Sequence, residues 1–394
     1  MKKYLMFIFT IIMAFITCYA FIYENSFKVQ QFKQPSISID SKKYGNIKKI
    51  VLLPSAMSFD NALLVLSSKN TSQGEISSLY RVNWDSGEYN LLSEFPSHKN
   101  LNNEIVFESP FNSNKIITAY NKGIMKISYN SQDPSYINAE QIEIEGFDTA
   151  TSMDCKGSLK YTRENDNLLY SQKIYNSGFS MQPENNNEQS FFVKPISIVN
   201  INGFRNIISY LSPDKGEANL YTINSGSPLN NFGLPVVKNV VSAHGMNDTQ
   251  GFAGFNFKND ISGRNNLNLF MVRYGTNINS GYTCCDLDTL PNNTDIFGAV
   301  PAIDSIGYNN DYSFAYTSFD ANHKGVLKLC STNEKPKVIV QNENIFGPVS
   351  ISEVNKPDSH STYVLFFTNE NNSTRVKLCN EKGGNVKDIT DIFN

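Results

Sequence analysis

Residues 325–340 read GVLKLCSTNEKPKVIV, and some fifty residues later 374–389 read TRVKLCNEKGGNVKDI. Each has an apolar start, then Lys-Leu-Cys, a polar stretch rich in Asn, Glu and Lys, and a second run suited to a strand. Gly and Asn in the polar stretch tolerate positive φ at little steric cost, which is what a tight connection between antiparallel strands needs. A phrase written twice at this spacing predicts a repeated structural unit.

Working back from these two copies, the same short apolar strand with a polar turn behind it recurs. It appears as SLYRVNWDSGEY from Ser78, GIMKISYNSQDP from Gly123, NLLYSQKIYNSG from Asn167, NLYTINSGSP from Asn219 and NLFMVRYGTN from Asn268. Anchored on Leu79, Ile124, Leu168, Leu220, Leu269, Leu327 and Val376, the copies are about 44 to 58 residues apart. Self-similarity near this period marks solenoids, propellers and arrays. Most units carry an earlier strand-like run, such as NALLVLSS (61–68), YSFAYTSF (312–319) or TYVLFFTN (362–369). Before these lies a third set, including EIVFESP from Glu104, TSMDCKG from Thr151, VVSAHGMN from Val240, PAIDSIG from Pro301 and PVSISEV from Pro348. A last run closes several units, as in EYNLLSEF (88–95), QIEIEGF (141–147) and PKVIVQN (336–342).

Four short strands per unit, joined by Asn/Gly/Asp/Ser turns, fit a propeller blade better than a solenoid coil. The expectation is an all-β fold: a β-propeller of seven four-stranded blades, with six or eight as the alternatives, preceded by one N-terminal hydrophobic helix. The Phe (27) and Tyr (20) content agrees, because flat rings pack well on a pleated, half-buried surface.

Lys2 and Lys3 precede an uncharged apolar run from Tyr4 to Tyr23, long enough for the ~20 residues that cross a bilayer core. Lysines held on the cytoplasmic side would place everything after Glu24 outside. Residues 1–23 therefore read as a signal anchor, or as a signal peptide cut near Ala20. Residues 24–46 read as a linker, or as a strand (VQQFKQPSISID) that closes the ring against the last unit, and 47–394 as the propeller. The expected location is the cell membrane, single-pass with an extracytoplasmic domain, or the exterior if the segment is cleaved.

A formal net charge of −3 and the lack of a dense Lys/Arg tract beyond the N-terminus argue against nucleic acid as a partner. The six cysteines, at 18, 155, 284, 285, 330 and 379, form no CxxC pair and no metal spacing with the four histidines. Cys330 and Cys379 fall in a slot that elsewhere holds Val82, Ser128, Ile223 or Val272, which makes them packing residues. Equivalent atoms of adjacent blades also lie too far apart for a disulfide. There is no G-x-S-x-G elbow, phosphate loop or dinucleotide fingerprint.

The repeated strand phrase, about seven times over nearly the whole chain after an export segment, resembles the extracytoplasmic seven-bladed propellers of the TolB-like and WD40-like superfamily. That resemblance implies architecture and leaves chemistry open, since propellers host binding platforms and enzymes alike. In a propeller the first strand of each blade lines the central channel. Polar residues near the ends of those strands, Glu108, Asp154, Asn202, His244, Asp304 and Glu353, are the candidate binding residues at the channel mouth. Converging carboxylates there would suit a cation, a sugar or a basic peptide, or would act as an acid and base pair on a glycosidic bond. The competing reading is that they are ordinary polar lining of a wet channel. No cofactor is predicted. The leading functional expectation is an exported or membrane-tethered interaction platform with a protein or oligosaccharide partner at the cell envelope. An exported propeller glycoside hydrolase or lyase acting on polysaccharide is the alternative.

Overall fold

The computed structural model describes residues 37–53, 61–97, 105–107, 115–129, 136–153, 158–163, 169–173, 182–183, 193–201, 205–211, 218–224, 237–245, 251–259, 265–274, 282–290, 301–308, 311–320, 322, 324–331, 334–341, 343–356 and 359–394. These form seven antiparallel sheets. Sheet 1 holds β1 (Ile39–Ser41), β2 (Gly45–Leu52), β3 (Ala62–Thr71), β4 (Gly74–Asn83) and β5 (Tyr89–Pro96). Sheet 2 holds β6 (Ile105–Phe107), β7 (Lys115–Tyr120), β8 (Gly123–Tyr129) and β9 (Ile137–Glu143). Sheet 3 holds β10 (Phe147–Met153), β11 (Ser158–Arg163), β12 (Leu169–Lys173) and β13 (Gln182–Pro183), and sheet 4 holds β14 (Val193–Ile201), β15 (Arg205–Leu211) and β16 (Ala218–Asn224). Sheet 5 holds β17 (Val240–Gly245), β18 (Gly251–Asn259), β19 (Asn265–Tyr274) and β20 (Tyr282–Leu290). Sheet 6 holds β21 (Ile303–Tyr308), β22 (Asp311–Phe319), β23 (Gly325–Ser331) and β24 (Lys337–Val340). Sheet 7 holds β25 (Ile345–Lys356), β26 (Ser359–Glu370), β27 (Ser373–Asn380) and β28 (Lys387–Asp388), followed by one 3-10 turn, Thr390–Phe393.

Within each sheet the strands pair in chain order. Consecutive sheets touch one another, and the seventh returns to the first, with β25 and β26 against β2. The KLC phrases lie on the third strands of sheets 6 and 7, where β23 and β27 pair with β22 and β26. Leu327 and Leu329 pack in the core shared by sheets 6 and 7, whereas Cys330 packs in the core between sheets 5 and 6. One sheet later, Val376 and Leu378 face sheet 1 while Cys379 faces back to sheet 6. Side chains alternate across a strand, so Lys and Cys of each phrase point to the preceding sheet and Leu to the next. Both thiols are free and fully buried.

Cover on both faces explains why the second strands lack a period of two. Val364, Leu365, Phe366 and Phe367 are all buried, as is the run Ala62–Leu66. β5, at the edge of sheet 1, is only partly covered: Leu92 and Phe95 are buried while Tyr89 and Leu91 are exposed, with a register shift between Leu91 and Ser93.

Local turn chemistry sets several boundaries. Residues 141–147 read as one closing strand, but β9 stops at Glu143 and Gly146, at φ 67, turns the chain into β10. Asn371 and Asn372, both at positive φ (52 and 63), make the two-residue connection from β26 to β27, with both central residues left-handed as a type I′ turn requires. In the stretch read as linker or closing strand, Ile39–Ser41 pairs with Gly45–Ile47 of sheet 1. The apolar run 4–23 lies outside the described residues; among those that are described, no helix is long and apolar enough to cross a membrane.

Candidate functional site

An inner strand at the channel has a partner on one side only, so its other row of backbone groups needs side chains or water. Asp304 of β21 supplies one such side chain. Its Oδ1 accepts the backbone N–H of Ser305 at 2.9 Å, and its Oδ2 accepts that of Ile351, in β25 of the next sheet, at 2.8 Å. Ser350 does the same one sheet on: its Oγ accepts the N–H of Leu52, in β2, at 3.0 Å. Ser352 adds an O–H donated to the Leu53 carbonyl at 3.2 Å.

The register shows that these ties repeat. Phe314 pairs with Cys330 and Val364 with Cys379, so the two KLC phrases align sheets 6 and 7. On that alignment Asp304, opposite Ala315, and Ser350, opposite Leu365, hold the same position. Aligned on the anchor leucines and Ile124, the position is Val51 in sheet 1, Val106 in sheet 2 and His244 in sheet 5. An oxygen there meets the amide of the residue one position on in the following sheet.

Of the six candidates, Glu108, Asp154 and Asn202 lie outside the described residues, and His244 is placed by its backbone in β17, opposite Ala253. Glu353 sits opposite Thr362, three positions beyond Ser350 along β25, which at ~3.3 Å per residue puts it about 10 Å further down the strand. Asp304 and Glu353 are therefore at different levels, and Asp304 has both oxygens committed to backbone amides. An acceptor held by two N–H groups, one from each of two neighbouring sheets, fixes strands in place. Among the described residues no group of three or more His, Cys, Asp or Glu is placed to hold a metal ion.

The charged groups that do converge lie between sheets. Asp288, on β20 of sheet 5, accepts the Tyr316 hydroxyl at 2.6 Å and pairs with Lys328 of the first KLC phrase, both in sheet 6. Burial, reinforced by that hydrogen bond and the carboxylate charge, pushes the Tyr316 phenol far above its ordinary value. In the second phrase Lys377 bonds Glu343, in the connection from sheet 6, at 2.7 Å and Glu370 at 2.6 Å. Burial works to lower the Lys377 pKa, but the two carboxylates outweigh it and the ammonium is held above the ordinary lysine value. Glu370 is correspondingly lowered, chiefly by the hydrogen bond from Lys377. Burial pushes the Cys330 thiol up to about 12, with Glu334 and Asp288 adding to it, and Cys379 likewise to about 12, aided by Glu381. The two cysteines were read from the sequence as packing residues, but the ion-paired groups around them were not singled out by sequence reasoning. The available signal was the lysine two places before each cysteine, on the same strand face and so at the same inter-sheet boundary.

The last sheet meets the first through the residues after Asn380. Phe393 is fully buried among Ile37, Ile39, Tyr44 and Trp84, with its ring 6.2 Å from that of Tyr44. Ser41 donates its hydroxyl to the Phe393 carbonyl. Lys387 pairs with Asp85 at 2.6 Å. Asp388 accepts both the N–H (2.9 Å) and the hydroxyl (2.6 Å) of Thr390, whose Oγ1 in turn accepts the Val376 amide at 2.8 Å.

No protein-family model matches the chain, and no curated protein matches it. Likeness is found among solved structures. An uncharacterized protein from Listeria monocytogenes EGD-e matches over 91% of this chain and 97% of its own, at 12% identity and a TM-score of 0.51. The tricorn protease matches 91% of this chain at 8% identity and a TM-score of 0.52, this chain spanning 35% of that one. The β-propeller domain of Myceliophteria thermophila Cps50 (Swd1) matches over 86% of this chain at 10% identity and a TM-score of 0.44. At such identities the likeness is one of fold alone; the propeller-like, all-β arrangement rests on the chain's own consecutive antiparallel sheets, each in contact with the next.

Proposed function

We infer that the seven sheets are the seven blades of one closed ring of the TolB-like or WD40-like kind. The ring is carried outside the cell by the segment 1–23 and acts as an interaction platform at the cell envelope, with a protein or oligosaccharide as partner. The observation that supports a platform over an enzyme is the use made of Asp304. This candidate carboxylate accepts the amides of Ser305 and Ile351 and so ties one sheet to the next.

Two measurements test this reading. Residues 1–23 fused to a reporter that is active only outside the cytoplasm should export it; a silent reporter sinks the envelope location. Purified protein incubated with envelope polysaccharides and peptidoglycan should release no reducing ends, while binding of one such polymer or of an envelope protein saturates. Turnover that is lost in Asp154→Asn would overturn the platform and establish the polysaccharide enzyme in its place.

A further inference from the structure

We propose that residues 387–394 form a detachable clasp across the boundary between sheets 7 and 1, the opening point of the molecule, with Phe393 as its latch. This stands on the contacts between those two sheets and is independent of how many sheets complete the ring.

Strand pairing supplies no bond across this boundary. Sheet 1 is built from residues 39–96 and sheet 7 from 345–388, each in unbroken chain order, so neither lends a strand to the other. At every other boundary the chain itself runs from one sheet to the next; here it does not. What joins them is the shared apolar core, the inner ties from Ser350 and Ser352, and the segment after β28. That segment has the form of a hook. β28 is two residues long and exposed, so little sheet pairing anchors it. The 3-10 turn beyond it carries the buried Phe393 into the side of sheet 1. Its polar contacts to sheet 1 are the Ser41 hydroxyl on the Phe393 carbonyl, and Asp85 and the Trp84 carbonyl, both reached by Lys387. Ile392 lies against Gly87 in the same turn of sheet 1. An apolar ring in a pocket, held by a short segment with little sheet pairing, is the type of contact that opens locally at lower free energy than the sheets themselves.

Releasing Phe393 would expose Tyr44 and loosen β1, to which Ser41 ties it. The vacated pocket then fits a short peptide with an aromatic side chain, the closest available being the segment's own sequence. Hydrogen–deuterium exchange on the full-length chain, wild type and Phe393→Ala, tests this peptide by peptide. The expected result is exchange faster by roughly ten-fold or more in β1, β2 and β27 of the variant, with β18, β19, β22 and β23 protected as in the wild type. Adding the octapeptide KDITDIFN in trans should restore protection to β1 and β2, and a scrambled octapeptide should not. Exchange that rises equally in all sheets, or that does not rise at β1 and β2, overturns the clasp. So does an octapeptide that restores nothing. If Phe393→Ala does not yield folded protein, Ser41→Ala, which removes one hydrogen bond and no ring, is read the same way with the same two patterns.

Discussion

Asp304 shows how a residue that looks chemical from its type alone is turned to structure by its neighbours. Removing its carboxylate strands the amide of Ile351, a buried residue, and an unsatisfied buried donor costs about 1–3 kcal/mol. Asp304→Ala should lower the unfolding free energy read from urea melts by that amount, whereas Asp304→Asn keeps one acceptor oxygen and should recover most of it. Equal loss in both variants would show that the charge, rather than the acceptor, matters. The two cysteines are legible from the sequence for the opposite reason: a slot that also takes Val and Ile has no polar demand, and the structure finds both thiols buried and free. With their pKa pushed to about 12, only about one part in ten thousand is thiolate at pH 8. Native protein treated with iodoacetamide should therefore carry no label at Cys330 or Cys379 by peptide mass spectrometry, and full label after unfolding. The acid that pairs with each Lys of the KLC phrases was not legible. Asp288 and Lys328 are 40 residues apart, and only the stacking of one sheet on the next makes them neighbours.

At the scale of the strand, most assignments were readable because turn residues and apolar runs bracket each one. The runs at 312–319 and 362–369 fall within β22 and β26, and that at 61–68 falls within β3 from Ala62 onward. What could not be read was the level at which each inner strand presents its polar residues. Glu353 lies three residues beyond the position shared by Asp304, Ser350 and His244, and such a shift is invisible until strands are registered against their neighbours. Turns offer a direct check of the backbone. With both central residues left-handed, replacing Asn371 or Asn372 by Ala should cost about 1 kcal/mol each, since a Cβ without a local hydrogen bond disfavours that region. Replacement by Gly should be neutral or slightly stabilising. Thermal melts of the four single variants decide it, and an Ala as stable as Gly at either place would argue against the turn type.

For the molecule as a whole, the carboxylates and the lysine with shifted pKa values among the described residues (Glu370, Asp388 and Lys377) all belong to sheet 7, which bears on how stability responds to pH. Glu370 and Asp388 are both lowered: Glu370 by its bond from Lys377, and Asp388 by its two bonds from Thr390, which overcome the opposing effect of burial. A lowered acid adds stability that is present above its unfolded value, about 4, and is lost as pH falls through the folded value. Lys377 is raised, so its contribution is present below its unfolded value, about 10.4, and is lost as pH rises through the folded one. Tm should therefore be level across neutral pH and fall at both ends, and Asp388→Asn should make the acid fall shallower. An acid limb unchanged in that variant would remove Asp388 from the account. Because Asp388 also orders Thr390 and through it Val376, the acid limb and the loosening of the clasp share a cause.

Sheets that each come from one continuous piece of chain have a consequence for how the sequence itself can be rearranged. The boundary between sheets 7 and 1 is held by packing and hydrogen bonds rather than by a link within the sheets, so a boundary with contacts of comparable kind is a candidate for losing its covalent link. A gene rewritten to start at residue 301, run to 394, pass through a flexible linker to 37 and finish at 290 would encode the same sheets in the same cyclic order. Its ends would move to the boundary between sheets 5 and 6, where Asp288, Tyr316 and Lys328 already bridge the gap. Such a circular permutant makes the starting point of this fold a matter of genetic history rather than of physics.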